Sequence, residues 1–290
     1  MQDEGYFGTN SITWEIGKEA ILLVGGARAV MMQLAHPLVA MGVSAHSDYM
    51  RDPFGRTERT FMLGQMLTFG STSVAHRAAR TINQLHHHVY GELATTAGAY
   101  RQGTHYTAHD PKLLLWVHAT LVDTILRIYP LFVRPLSPEE QEQYYQESKH
   151  MARLLGLTAE HMPSTVQDLQ QYVHDMVYSN QLAATPQARA IIQKVLFPPL
   201  PAYLRPFLYL NLYITCALLP EPLLTIYDLD WGPKRQRLFE LASAGVRTLL
   251  PHIPEKWRIL PVTARMMREH GTNGLRWHQR HFGYASHVGV

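Results

Sequence analysis

Three consecutive histidines, His86, His87 and His88, fall in a stretch where Ala75, Ala78, Ile82, Leu85, Val89 and Leu93 recur every three or four positions. That spacing is one face of a helix. Consecutive residues on a helix point about 100° apart, so the three cannot share one metal. Residues three and four positions away decide which faces inward. His86 has Ile82, Val89 and Tyr90, whereas His87 and His88 have mostly polar neighbours or glycine. A neutral imidazole beside an apolar cavity suits an axial ligand to haem iron. The same setting suits a core histidine satisfied by hydrogen bonds.

Arg56 and Thr60 are four positions apart and so stack on one helical face, which Leu63, Gly64 and Leu67 continue. A guanidinium and a hydroxyl aimed into an apolar groove can orient a bound anion or an iron-bound oxygen species. The competing role for Arg56 is an ion pair with Asp48, Asp52 or Glu58. His118, among Leu114, Leu115, Leu121 and Val122, is the second candidate ligand or a core hydrogen-bonder. His105 and His109 have metal-ligand spacing but sit in a Gly- and Thr-containing loop and read as solvated. His36 precedes Pro37, and His46 lies in a segment suited to local capping. Glu147-x-x-His150 is one copy of a motif that di-iron bundles use twice.

Other chemistries lack their parts. There is no His-Glu-x-x-His, no Gly-x-Ser-x-Gly and no phosphate loop. With 17 histidines but one cysteine, Cys216, the chain has no disulfide framework, cysteine-rich zinc site or cysteine-ligated cluster. Cys216 reads as a buried structural thiol. Lys and Arg exceed Asp and Glu by only 26 to 23, which gives nucleic-acid binding no support. The polar, acidic start lacks the regions of a signal peptide. The uncharged apolar stretch over residues 206–220 is shorter than the roughly 20 residues that span a bilayer. A cytoplasmic protein without a transmembrane segment is expected, with peripheral membrane contact left open.

The elements that must position these residues read as helices. An apolar segment over 14–39 is interrupted at Gly25-Gly26, where missing side chains permit close approach of a helix or ligand. A second helix is expected over 53–69, and the histidine-bearing one follows from Ser73. Asp110-Pro111 opens a nearly all-apolar helix over 113–128, which must be buried nearly all round. Ser137-Pro138-Glu139-Glu140 is a capping box; Ser164 with Gln167 looks like another, and Thr185-Pro186 opens a further helix. Four prolines over 198–206 mark the strongest internal break. Later helices are expected over 206–219, 233–250 and 261–270. With no run of alternating strands, the fold class is all-α.

The order of these segments resembles one family, that of latex clearing protein, the rubber oxygenase, and the endoplasmic-reticulum-bound oxygenase of mycophenolic acid biosynthesis. The likeness runs through Gly25-Gly26-Ala27-Arg28, Gln33 to Pro37, Gly42-Val43, His46-Ser47-Asp48, Asp52-Pro53 and Gly55-Arg56. It continues through Thr60, His86 with Val89 and Gly91, Tyr106 to Pro111, Trp116 to Thr120, Glu147, Leu155-Gly156 and Pro163. The resemblance implies a globin-related helical bundle with additional helices around non-covalent haem b, an axial histidine matched by His86, and a distal pair matched by Arg56 and Thr60. Characterised members cleave carbon–carbon double bonds of isoprenoid chains with O2. Their distal acidic residue has no matched position here, Asp48 being a nearby candidate.

The combined expectation is one all-α haem-binding domain over residues 1–270, with a tail over 271–290. Its activity would be that of a haem-dependent oxygenase acting with O2 on a hydrophobic, unsaturated or isoprenoid-like substrate. The helices near Gly25-Gly26 and 113–128 would wall the pocket. Rival readings are a haem-binding sensor or carrier, a non-haem metal enzyme using His105 and His109, and a helical interaction protein.

Overall fold

The computed structural model describes residue 3 and residues 5–268. The architecture is all-α: fourteen α-helices and one two-stranded hairpin among the described residues. The expected tail lies outside them.

The apolar segment 14–39 folds as pieces. These are α1 (Ile12–Gly17), a 3-10 segment Ala20–Gly25, α2 (Gly26–Leu34) and α3 (Pro37–His46). Pro37 explains the last break. It disfavours helical geometry at the preceding residue, and His36 is extended at ψ 116°. Asp52 caps α4 (Pro53–Phe69) by accepting from Gly55 N at 2.8 Å. Helix α5 (Thr72–His87) then leads into β1 (Tyr90–Glu92), which pairs antiparallel with β2 (His105–Thr107), Gly91 opposite Tyr106.

Asp110 caps α6 (Pro111–Phe132), accepting from Lys112 N at 2.9 Å. The expected box at Ser137 opens α7 (Pro138–Leu154) with both reciprocal bonds formed. The next box is one residue later than expected: Thr165 and Asp168, rather than Ser164 and Gln167, start α8 (Val166–Val177). Thr185 caps α9 (Pro186–Leu196). The remaining helices are α10 (Arg205–Leu218), α11 (Glu221–Ile226), α12 (Pro233–Leu249), α13 (Glu255–Arg258) and α14 (Pro261–Arg268).

Helix α6 is the axis of the core. By length and composition it could cross a membrane, but here 61% of its most apolar window is buried inside the fold. Trp116, Ala119, Val122, Leu126 and Tyr129 join one apolar cluster with residues of α2, α8, α9 and α10, so the core continues across the proline-rich break. The end of α2 is satisfied by its neighbours: Trp116 donates to Met32 O at 3.2 Å and Tyr227 to Met31 O at 2.8 Å. Cys216 is buried and unpaired with another cysteine, as a structural thiol should be.

Gly25 is required where it stands. A β-carbon there would strike Ile128 and lie 2.7 Å from Thr124 Cγ2. The close approach anticipated from the sequence is therefore real, but Ile128 fills it. At Gly25 this junction is packed interior, whereas a β-carbon at Gly26 would meet nothing within 4 Å.

Arg28, one turn on, is completely buried. Its Nε donates to Leu218 O at 2.8 Å, its Nη2 to Asp123 at 2.6 Å, and its Nη1 to Thr124. One guanidinium thus ties α2 to α6 and α10. Burial lowers its pKa, and Asp123 opposes that shift.

Candidate functional site

Helices α4 and α5 form an antiparallel hairpin about Gly70 and Ser71. Leu63, Met66 and Leu67 of α4 pack on Val74, Ala75, Ala78 and Ala79 of α5. Because the two legs are of similar length, the start of α4 returns beside the end of α5. Arg56 and His86, 30 residues apart in sequence, therefore share one end of the pair. Their proximity is felt electrostatically: Arg56 is among the groups lowering the His86 pKa.

The Arg56 and Thr60 side chains do lie on one face and bond to each other. Arg56 Nε also donates to Ser47 Oγ at 3.0 Å, and its guanidinium carbon lies 5.5 Å from the centre of the Tyr49 ring. The competing role fell to a neighbour, because Arg59 takes the carboxylates, Asp52 at 3.1 Å and Asp48 at 4.0 Å. Arg56 is thus held by neutral partners, and burial lowers its pKa. A cation so held has charge to offer a further ligand.

His86 occupies the last turn of α5. Its Nδ1 is buried with no hydrogen-bond partner. Burial first, then His109 and Arg56, push its pKa down to about 4, so the imidazole is neutral at pH 7. Its surroundings differ from those expected. The helix stops at His87, with His88 as cap, so Val89 and Leu93 do not continue the stripe, and Leu85 is 59% exposed. His109, read from the sequence as solvated, is exposed, yet its ring centre lies 6.1 Å from that of His86 and 6.4 Å from that of His87. The hairpin β1–β2 returns the chain to this point, and the Asp110 cap fixes where α6 leaves it. His87 and His109 line an open groove with Arg80, Asn83 and Gln84.

The other candidates lie apart. His118 on α6 has Nε2 3.3 Å from Ser148 Oγ on α7, and burial, aided by Lys149, lowers its pKa to about 4. His105, exposed on β2, sits 3.5 Å from Glu92, its cross-strand partner. His46 Nε2 lies 3.1 Å from Tyr90 O. His36 is buried with Nε2 2.9 Å from Tyr100 Oη. Glu147 accepts from Thr13 N at 2.9 Å, while His150 packs on Phe7. Among the described residues, no group of three His, Cys, Asp or Glu side chains could hold a metal ion.

A flat porphyrin supplies four of the iron's ligands, so haem asks the chain for a single neutral nitrogen with a free lone pair. His86 fits that request: it is neutral and has an orphaned ring nitrogen beside a fixed cation. His118 fits less well, because its Nε2 already has a hydroxyl partner.

Burial of His36, His86 and His118 has a consequence in acid. Each has a folded pKa near 4 against an unfolded value near 6.5. Between these values the unfolded chain takes up protons that the folded chain refuses, so stability falls as pH drops from about 6.5 toward about 4. The melting temperature, followed by circular dichroism from neutral pH to about pH 4, is expected to fall through this window. A flat profile would contradict the burial of these imidazoles.

The chain is 26% identical over 236 residues to "Uncharacterized protein Rv2237" of Mycobacterium tuberculosis, covering 78% of this chain and 89% of that one. The same figures hold for "Uncharacterized protein Mb2261" of Mycobacterium bovis. No solved structure matches. The model of the family described as "ER-bound oxygenase mpaB/B'/Rubber oxygenase, catalytic domain" matches residues 13–248, a span that contains Arg56, Thr60 and His86. The chain belongs to this family of oxygenase catalytic domains.

Proposed function

We propose that the protein is a haem b-dependent oxygenase acting on a hydrophobic, unsaturated substrate such as an isoprenoid chain. The observation that carries the reading is the unpartnered, buried Nδ1 of neutral His86 beside Arg56. Family membership supports the oxygenase part.

His86 would hold the haem, and the bound haem would supply the activation of O2. The rest falls to the chain. Arg56 offers a positive charge already oriented by Ser47, Thr60 and Tyr49, so little reorganisation is needed when negative charge develops nearby. The Thr60 hydroxyl donates to Arg56 O at 2.9 Å and accepts from the guanidinium, which fixes it as part of that unit. Thr60 therefore acts by holding Arg56 as well as by facing a ligand. His109 stands beside His86 at the groove.

Oxygen consumption by the purified haem-loaded protein, measured against unsaturated lipids and isoprenoids, tests the proposal. Substrate-dependent consumption is expected. A haem protein that consumes none across such a panel would be a carrier or sensor.

A further inference from the structure

We propose that α12 is a docking face for an anionic lipid surface. The helix is apolar on two sides. Phe239 and Ser243 are buried, the Phe239 ring lying 6.1 Å from Phe132 of α6. On another side, Leu238, Leu241, Ala242, Gly245 and Leu249 recur at intervals of three and four and face solvent. Leu241 is 73% exposed and Leu249 66%. A helix that packs on one side ordinarily keeps the other polar, and a bare leucine stripe marks a surface that meets something apolar.

The charges say what that something is. Lys234, Arg235 and Arg237 crowd the start of α12, whose first turn has no acidic residue and whose N-cap, Gly232, supplies no side-chain bond. Cations at the positive end of the helix dipole oppose the helix, so this cluster is not explained by the helix's own stability. Arg235 is paired with Asp230 at 3.0 Å. Glu240, the one acidic residue on the helix, is engaged by Gln236 at 3.1 Å. Trp257, 73% exposed, follows on α13 next to Lys256. Leucines that can insert, an exposed tryptophan and a surplus of cations suit the interface of an anionic bilayer. A second copy packed parallel along the same stripe would bring these like charges together.

Sedimentation of the full chain with vesicles tests this without any turnover, so its outcome is independent of the haem reading. Binding is expected to vesicles of phosphatidylcholine and phosphatidylglycerol in equal parts, to be far weaker with phosphatidylcholine alone, and to fall as salt rises. Replacing both Lys234→Gln and Arg237→Gln should weaken it about fivefold per cation. The pair Leu241→Gln and Leu249→Gln should abolish it without lowering the melting temperature, because both side chains are exposed. Equal partition into both vesicle types, or unchanged binding by these variants, would overturn the proposal. So would a dimer in solution that Leu241→Gln dissociates, which would make α12 an interface between copies.

Discussion

Replacing Arg56 by leucine is expected to lower substrate-dependent oxygen consumption about 10²–10³-fold while leaving haem content intact. The magnitude is that of removing one preoriented donor from the place where charge develops. The loss should appear in kcat, because the guanidinium contributes when negative charge forms rather than when an apolar substrate binds. Leucine removes the guanidinium's contact with the Tyr49 ring, worth about 0.5–1 kcal/mol at a partly exposed site, so the melting temperature should fall only slightly. Arg56→Lys should recover only part of the rate. A single ammonium cannot reproduce a planar guanidinium that bonds both Ser47 and Thr60. If Arg56→Leu turns over like the parent, the arginine is a structural tether.

The Asp123→Ala variant should show the largest loss of stability. It leaves Arg28, completely buried, without its carboxylate. Removing one partner of a buried pair costs about 3–5 kcal/mol, chiefly because the remaining charge is stranded. For a chain of this size that is roughly a 10 °C fall in Tm. The remaining contacts to Leu218 O and Thr124 cannot neutralise the charge. The double variant Arg28→Met with Asp123→Leu should recover much of the loss, since it removes both charges and keeps the volume. An unchanged Tm in Asp123→Ala would mean that the guanidinium reaches water.

Arg28 also shows where sequence reasoning stops. It reads as a lone cation in an apolar stretch, and its partners lie 95, 96 and 190 positions away. No local spacing encodes that. Helix starts are different, because they are written in a few adjacent residues. Asp52-Pro53, Asp110-Pro111, Ser137 and Thr185-Pro186 all open helices as expected. At 164–168 two adjacent hydroxyls each have a polar residue three positions on, and only packing selects Thr165 over Ser164.

The site divides in the same way. Arg56 and Thr60 were legible as a pair because their contact is set by helical repeat alone. His86 was legible as the inward histidine for a partly mistaken reason. Leu85, Val89 and Leu93 continue the apolar rhythm, but the chain leaves the helix at His87 to pair with residues 105–107, and Gly91 there sits under Tyr106. That pairing brings His109 to His86. Since it depends on a hairpin closed across a 12-residue connection, nothing near His86 in the sequence announces it.

The absorption spectrum of the purified protein before and after His86→Ala, with haem content measured in parallel, tests directly whether His86 holds the haem. A Soret band is expected in the parent and should be abolished or strongly shifted in the variant. Because His86 is at the end of α5 and half-buried, the variant should keep its helical circular dichroism. An unchanged Soret band in a folded His86→Ala protein would contradict the assignment and move the ligand role to another histidine, with His118 the first to examine.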